Sequence, residues 1–260
     1  VKAPRPQDDR ITVIQRELFD ERKSKAARYA DLFIGRSGWG PLLKYELIVT
    51  LCANVPGALG LLLRSKLYPL LLGSVGRNVT FGQHVVLRHP HKIHIGDNVV
   101  VDDGCCLDAK GVDNDGIRIG SGVFLGRNCI LSCKNGNIIV GDEANIGFNT
   151  EIFSASTVKV GRKVLIAAYT YLVGGDHLYD RVDVPVLDQG RTAAGIDVGD
   201  HVWLGAHVVV TDGATIGRDA IIGAGAVVVG AIPEFAIAVG TPARVVRDRR
   251  SPSAEVAPSP

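Results

Sequence analysis

The 260-residue sequence contains no methionine, only two tryptophans and 6 % aromatic residues, and its 29 basic and 27 acidic side chains leave a net charge of just +2. So small a net charge lacks the basic footprint of a nucleic-acid-binding surface. Long apolar runs are scarce too. The longest uncharged stretch, Leu47 to Leu63, is about 17 residues, at the lower edge of a membrane span, and Asn54, Pro56, Gly57 and Gly60 interrupt it. The five cysteines (Cys52, Cys105, Cys106, Cys129, Cys133) show neither CxxC spacing nor a secreted-domain pattern, so reduced thiols in a cytoplasmic setting are expected. The first forty residues are charged and hold no apolar run, so no signal peptide is expected. Val1 and the missing methionine suggest a non-standard or altered start. Proline is ordinary while glycine reaches 31, which fits a chain with many corners rather than a disordered one.

What the sequence does have is a six-residue period. Val198 to Pro233 divides without remainder into VGDHVW, LGAHVV, VTDGAT, IGRDAI, IGAGAV and VVGAIP. This period fits neither a 3.6-residue helix nor alternating strands joined by hairpins. It fits a short strand plus a corner, repeated, the pattern of a parallel β-helix. The opening aliphatic residue is expected to point inward, the small or β-branched fifth residue to fit the narrow interior, and the second-place Gly to make a tight corner.

The period begins at Val75 and groups in threes: Val75, Phe81, Leu87; Ile95, Val101, Leu107; Ile119, Leu125, Leu131; Val140, Ile146, Ile152; Val160, Ile166, Leu172; Val198, Leu204, Val210; and Ile216, Ile222, Val228. Residues that do not fit the hexads all follow the third hexad of a trio. The longest such insertion, Leu178 to Asp197, comes directly after His177. If each trio is one triangular coil, every insertion leaves from one edge, and that edge is where a ligand site is expected.

Before the hexads, residues 1–40 read as a charged arm with a short amphipathic helix through Ile11 to Leu32. Residues 41–73 read as two apolar helices broken at Pro56-Gly57. Two roles fit the apolar pair. It could make peripheral membrane contact with Lys44, Arg64 and Lys66 as basic flanks, or cap the open first coil. Three regions follow: 1–73, the arm and apolar helices; 74–247, the β-helix; and 248–260, a basic, Pro/Ser-rich tail expected to be disordered.

The hexads, the VWLGAHVVV segment with Trp203, and the ending VGTPARVVR resemble the hexapeptide-repeat acyltransferases. The branch resembled holds the maltose, galactoside and xenobiotic acetyltransferases and the exopolysaccharide O-acetyltransferases. The resemblance covers roughly Gly73 to Arg247. It implies a mainly β fold, a left-handed parallel β-helix of about seven coils, assembled as a homotrimer with sites between subunits. It also implies acetyl-CoA as co-substrate, no metal, and a small-molecule or glycan acceptor. The setting implied is cytoplasmic, peripheral at the inner face of the membrane if residues 41–73 bind it.

Carried over residue by residue, the resemblance makes His177, in GGDHLYD, the catalytic base. An imidazole of ordinary pKa about 6.5 is largely neutral at pH 7 and can take a hydroxyl proton. Trp203 would line the cleft across a subunit boundary. Arg244 and Arg247 would reach the CoA phosphates, and the Gly205-Ala206 and Gly223-Ala224 corners would let the pantetheine arm lie close to the backbone. Asn149 is a candidate acceptor contact. Asp176 is a candidate too, although neighbours in an extended segment point to opposite sides. Galactoside acetyltransferases carry an acceptor-binding Asn where this chain has Gly147, and a binding Asp where it has Ala155. The expected acceptor is therefore not a simple galactoside.

His201 and His207, at outward fourth places, are expected to be solvated. His89, His91 and His94 straddle a corner and are not expected to hold a metal. Cys105 and Cys129 occupy the same inward place in successive coils and should stack about 4.8 Å apart. Transfer to an amine of an amino sugar or antibiotic, and a non-catalytic binding or scaffold role, are the alternatives to O-acetylation.

Overall fold

A computed structural model describes residues 23–251, and these form a three-sided parallel β-solenoid with a helical cap at its start. The first sheet has eight strands, from Ser74–Val75 to Ala231–Ile232. The second has eight parallel strands, from Thr80–Phe81 to Ala236–Val239, and the third has seven, from Val86–Arg88 to Val227–Val228. The prism thus has seven complete coils and two sides of an eighth, slightly more than expected.

Of the 21 hexad-opening residues, all are buried except Val75, which is half-buried in the first coil. They stack in register: Val75 on Ile95 on Ile119 along the first sheet, Leu107 on Leu131 on Ile152 along the third. Each such aliphatic side chain contributes about 1.5–3 kcal/mol relative to exposure. Cys105 and Cys129 also lie in stacked register, fully buried and unbridged, with their thiols donating to the carbonyls of Gly126 and Gly147 at 3.1 Å. The adjoining Cys129 thiol and burial push the Cys105 thiol well above its ordinary range.

The corners correct one expectation. The left-handed residue of each turn is the fourth of the hexad, not the second: Asn78, Asn98, Asn128 and Asn149 all have φ between 55° and 59°. Asparagine and glycine adopt this region at least cost. The second-place glycines answer a different need. A Cβ on Gly205 would sit 2.6 Å from the Ala224 amide nitrogen, and one on Gly147 2.7 Å from that of Ala168. They are glycines because successive coils touch there.

The cap consists of α1 (Lys25–Tyr29, continued by one π-helical turn to Ile34), α2 (Trp39–Cys52) and α3 (Gly57–Leu67). The break between α2 and α3 falls at the expected Pro56-Gly57, and no helix among the described residues is long and apolar enough to cross a membrane. Of the amphipathic helix expected over Ile11 to Leu32, the part before Lys23 lies outside the described residues. The cap replaces the coil that would lie beneath the first one. Carbonyls along an open strand edge need donors. Arg64 Nε supplies one to Phe81 at 3.0 Å, Tyr45 one to Leu87 at 2.9 Å, and Tyr68 one to Val85 at 3.4 Å. Arg64, expected as a basic flank facing outward, is instead 1 % exposed.

At the other end, Arg244–Asp248 turns back as an antiparallel strand on the second sheet. Asp248 to Ser251, expected in the tail, are ordered here. The Arg250 and Arg218 guanidinium groups lie over the Phe235 ring at 4.8 and 4.9 Å. The rest of the expected tail lies outside the described residues.

Candidate active site

All insertions leave from the edge between the third and first sheets, as the hexad count requires. On that edge Cys133, Ser154 and Gly174 stack in register, so the residues just beyond them, Lys134, Ala155 and Gly175, form a column. Gly174 and Gly175 let the chain pass close over this column. A Cβ on Gly174 would meet Val158 at 2.5 Å, and one on Gly175 would meet the Ala155 side chain at 2.8 Å and the Phe153 ring at 3.3 Å.

The long insertion then folds into a two-stranded antiparallel ribbon, with Asp176 opposite Thr192 and His177 opposite Arg191. Gln189 crosslinks its tip, accepting from the Arg181 amide at 3.0 Å and donating to Val184 at 2.7 Å. Its return is fixed by the Asp212 carboxylate, which accepts the Ala194 and Gly195 amides at 2.9 Å. A ribbon tied at both ends holds His177 over the third sheet.

There a cavity of about 220 Å³ is lined by Phe153, Ala155, Tyr171, Lys134, Arg191 and His177, with Asp176 at its wall. The Asp176 carboxylate accepts the His177 backbone amide at 2.8 Å, so it fixes the main chain rather than the imidazole. His177 Nδ1 is sealed from solvent and has no hydrogen-bond partner among the described residues. No hydrogen bond from them therefore orients the ring through Nδ1. Desolvation, then the Arg191 charge and that of Lys134, hold the imidazole below its ordinary pKa, against the opposing pull of Asp176. The ring is accordingly neutral at pH 7 and able to accept a proton.

Of the residues expected at the site, only Asp176 and His177 meet in this cavity. Trp203 lies on the outer face of the second sheet, 47 % exposed, between Leu165 and Ile221. Gly205, Ala206, Gly223 and Ala224 form the neighbouring edge, between the second and third sheets. Asn149 is on that same edge, accepting from the Asn128 side chain at 3.2 Å in an asparagine ladder. Arg244 and Arg247 are exposed on the reversed terminal strand.

His207 and His201 are exposed but not simply solvated. The first stacks on Tyr169 with ring centroids 5.0 Å apart, and the second lies 3.3 Å from Asp219. His89, His91 and His94 do not converge. His89 faces the Asp31 carbonyl, His94 the Ser74 hydroxyl, and no metal-holding cluster occurs among the described residues. Lys134, Phe153, Tyr171 and Arg191 escaped the sequence reading. Lys134 was within reach of it, because the insertion-edge rule applies to the shorter insertions beneath His177 as well.

The model of the bacterial transferase hexapeptide (six repeats) matches residues 195–230, and that of the hexapeptide repeat of succinyl-transferase matches residues 137–172. Both stretches carry transferase-type hexapeptide repeats. Among curated relatives, the chain is 36 % identical over 134 residues to a Mycobacterium tuberculosis chain named "Probable acetyltransferase" (52 % of this chain, 45 % of that one). It is 37 % identical over 117 residues to the galactoside O-acetyltransferase of Escherichia coli (43 % of this chain, 54 % of that one). It thus spans about half the length of these two relatives. Among solved structures, the polySia-specific acetyltransferase NeuO superposes with a TM-score of 0.55 at 22 % identity, over 70 % of this chain and 86 % of that one. That likeness is one of fold.

Proposed function

We propose that this hexapeptide-repeat chain moves an acetyl group from acetyl-CoA to a hydroxyl of a sugar or glycan, with His177 as general base. The observation that carries the reading is the position of a neutral, partly desolvated imidazole in the cavity of the insertion edge. The galactoside O-acetyltransferase relationship supplies the reaction class.

In the reaction, the imidazole nitrogen takes the acceptor hydroxyl proton as the oxygen attacks the thioester carbonyl carbon. The carbon–sulfur bond then breaks, and the proton passes to the leaving thiolate. The products are an ester and a free thiol. Base catalysis of this kind is worth about 10² to 10⁴ in rate. His177→Ala should therefore lower kcat by that factor at unchanged melting temperature, followed as thiol release from acetyl-CoA with a panel of sugar acceptors. Full turnover in the variant would overturn the assignment.

The working unit is a homotrimer. Trp203, Arg244 and Arg247 lie on a different side of the prism from His177, so they serve the neighbouring protomer's site: Trp203 beside the reacting ends, the arginines on the CoA phosphates, and the Gly205-Ala206 and Gly223-Ala224 edge along the pantetheine. Exposed Phe124, Leu165 and Trp203 on one sheet face support burial between copies. A monomer by light scattering would refute this.

The enzyme acts in the cytoplasm at the membrane surface. α2 buries Ile48 and Cys52 against the solenoid core and Tyr45 against α1, and turns Trp39, Leu43, Leu47 and Leu51 outward, with Trp39 72 % exposed. Apolar on both faces, with Lys44 among its own exposed residues and Lys66 on the neighbouring α3, it suits an anionic bilayer interface. Flotation with anionic vesicles should carry the protein up, and Leu43→Glu/Leu47→Glu should abolish it.

A further inference from the structure

We infer that the acceptor is anionic: the cavity beside His177 selects a saccharide carrying a carboxylate or phosphate near the hydroxyl to be acetylated. This deepens the acetyl-transfer reading and rests on it. Two cations, Lys134 and Arg191, line the same cavity from opposite directions, one on the solenoid edge beneath and one on the ribbon strand above. Neither makes an ion pair among the described residues, although surface cations in this chain commonly do, as in Arg77–Asp97 and Arg162–Asp200.

Two of the acids nearby have other partners. Asp108, one coil below and beneath Ser132, pairs with Arg88 at 3.5 Å, and Asp176 accepts the His177 amide at 2.8 Å. Lys134 lies against the Phe153 ring, 5.8 Å from its centroid, which holds the ammonium over the cavity. Partial burial, then Arg191 and Lys110, make its charge costly, as expected where two cations are brought near each other.

The column gives a further argument. Ala155 stands directly above Lys134 in the stack, and no carboxylate occupies that rung to repel an acid. The cavity can hold one sugar ring; Phe153, Tyr171 and Val173 give it apolar walls, and its charged lining sets Lys134 and Arg191 against the single Asp176 carboxylate, a net positive balance. An Arg and a Lys lining one cavity can together bind a carboxylate or phosphate by charge-assisted hydrogen bonds.

The experiment uses the full-length protein with methyl glucoside, methyl glucuronide and glucose 6-phosphate, followed in two ways. Thiol release from acetyl-CoA gives KM and kcat. Titration of the His177 imidazole by NMR gives binding without turnover. The acidic sugars should bind at least about tenfold tighter than the glucoside and raise the imidazole pKa. The comparison of glucuronide with phosphate tells which anion is preferred. Lys134→Gln and Arg191→Gln should each raise KM for the acidic acceptor about tenfold or more and leave KM for acetyl-CoA unchanged.

Equal affinity for the neutral and acidic sugars, no response of the imidazole to either acid, or an acid response that survives the double variant would overturn the inference. Those results would leave base catalysis by His177 standing. Conversely, undiminished turnover by His177→Ala would remove the acetyl-transfer mechanism while the binding titration still reported on the cations.

Discussion

Replacing Arg64 by Leu tests whether the cap substitutes for a missing coil. The guanidinium donates to Phe81 at 3.0 Å, Cys52 at 3.0 Å and Val55 at 2.7 Å, and makes no ion pair among the described residues. Leu keeps the apolar contact but leaves the three carbonyls without that donor. Val55 is near enough to the surface to find water; the Phe81 and Cys52 bonds are buried. At about 1–3 kcal/mol for each buried orphan, the two cost about 2–6 kcal/mol. Removing a dehydrated cation offsets part of that. A net loss of about 2–4 kcal/mol is expected.

In a solenoid each coil is held mainly by its neighbours, so the loss should be local. Native-state hydrogen exchange reads it out. The Thr80 and Gly82 amides, bonded to Val99 and Val101, should lose protection in Arg64→Leu, while Leu165 and Gly205, several coils higher, keep theirs. Arg64→Lys, with one nitrogen in place of three, should fall between. Wild-type protection at Thr80 and Gly82 in the Leu variant would show that the buried arginine does not hold the first coil.

Other outcomes follow from the site and the cap. Because burial and Arg191 lower the His177 pKa, the acid limb of kcat/KM should have its midpoint below pH 6.5; Arg191→Gln should move it upward, and an unmoved limb would count against His177 as the base. Gly175→Ala, whose Cβ would lie 2.8 Å from that of Ala155, should displace the ribbon and cut kcat about tenfold or more with little change in Tm, since small misplacements of a catalytic group are costly. His91 is held down to about 4 by burial, Arg36, His89 and Lys92. The unfolded chain therefore takes up a proton below pH 6.5 that the folded chain refuses, and stability should fall between pH 6.5 and about 4. His91→Gln should flatten that decline in urea melts at pH 7 and pH 5.

The solenoid was legible because its rule is periodic: Ile119 or Val160 reveals its inward direction by its place in the hexad. The insertion edge was legible by the same counting, and it led to His177. Three things were hidden. The reason for Gly205 and Gly147 is contact with the next coil, which requires knowing that residues about 19–21 apart in sequence become neighbours. Arg64 looked like a membrane flank because a basic residue beside an apolar run ordinarily snorkels outward; only the open carbonyls of Phe81 and its neighbours explain its burial. Lys134 and Arg191 are 57 positions apart, and only the folded-back ribbon brings them together.

The reversed strand Arg244–Asp248 has a bearing on growth. A stack of parallel rungs is a template at each extremity, ready to receive another molecule's first rung and extend into a fibre. Here the lower extremity is stoppered by side chains from helices, and the upper one is covered on its second side by a strand running the wrong way to continue the winding. Filament assembly is thereby discouraged at both ends, which leaves association to the flanks of the prism.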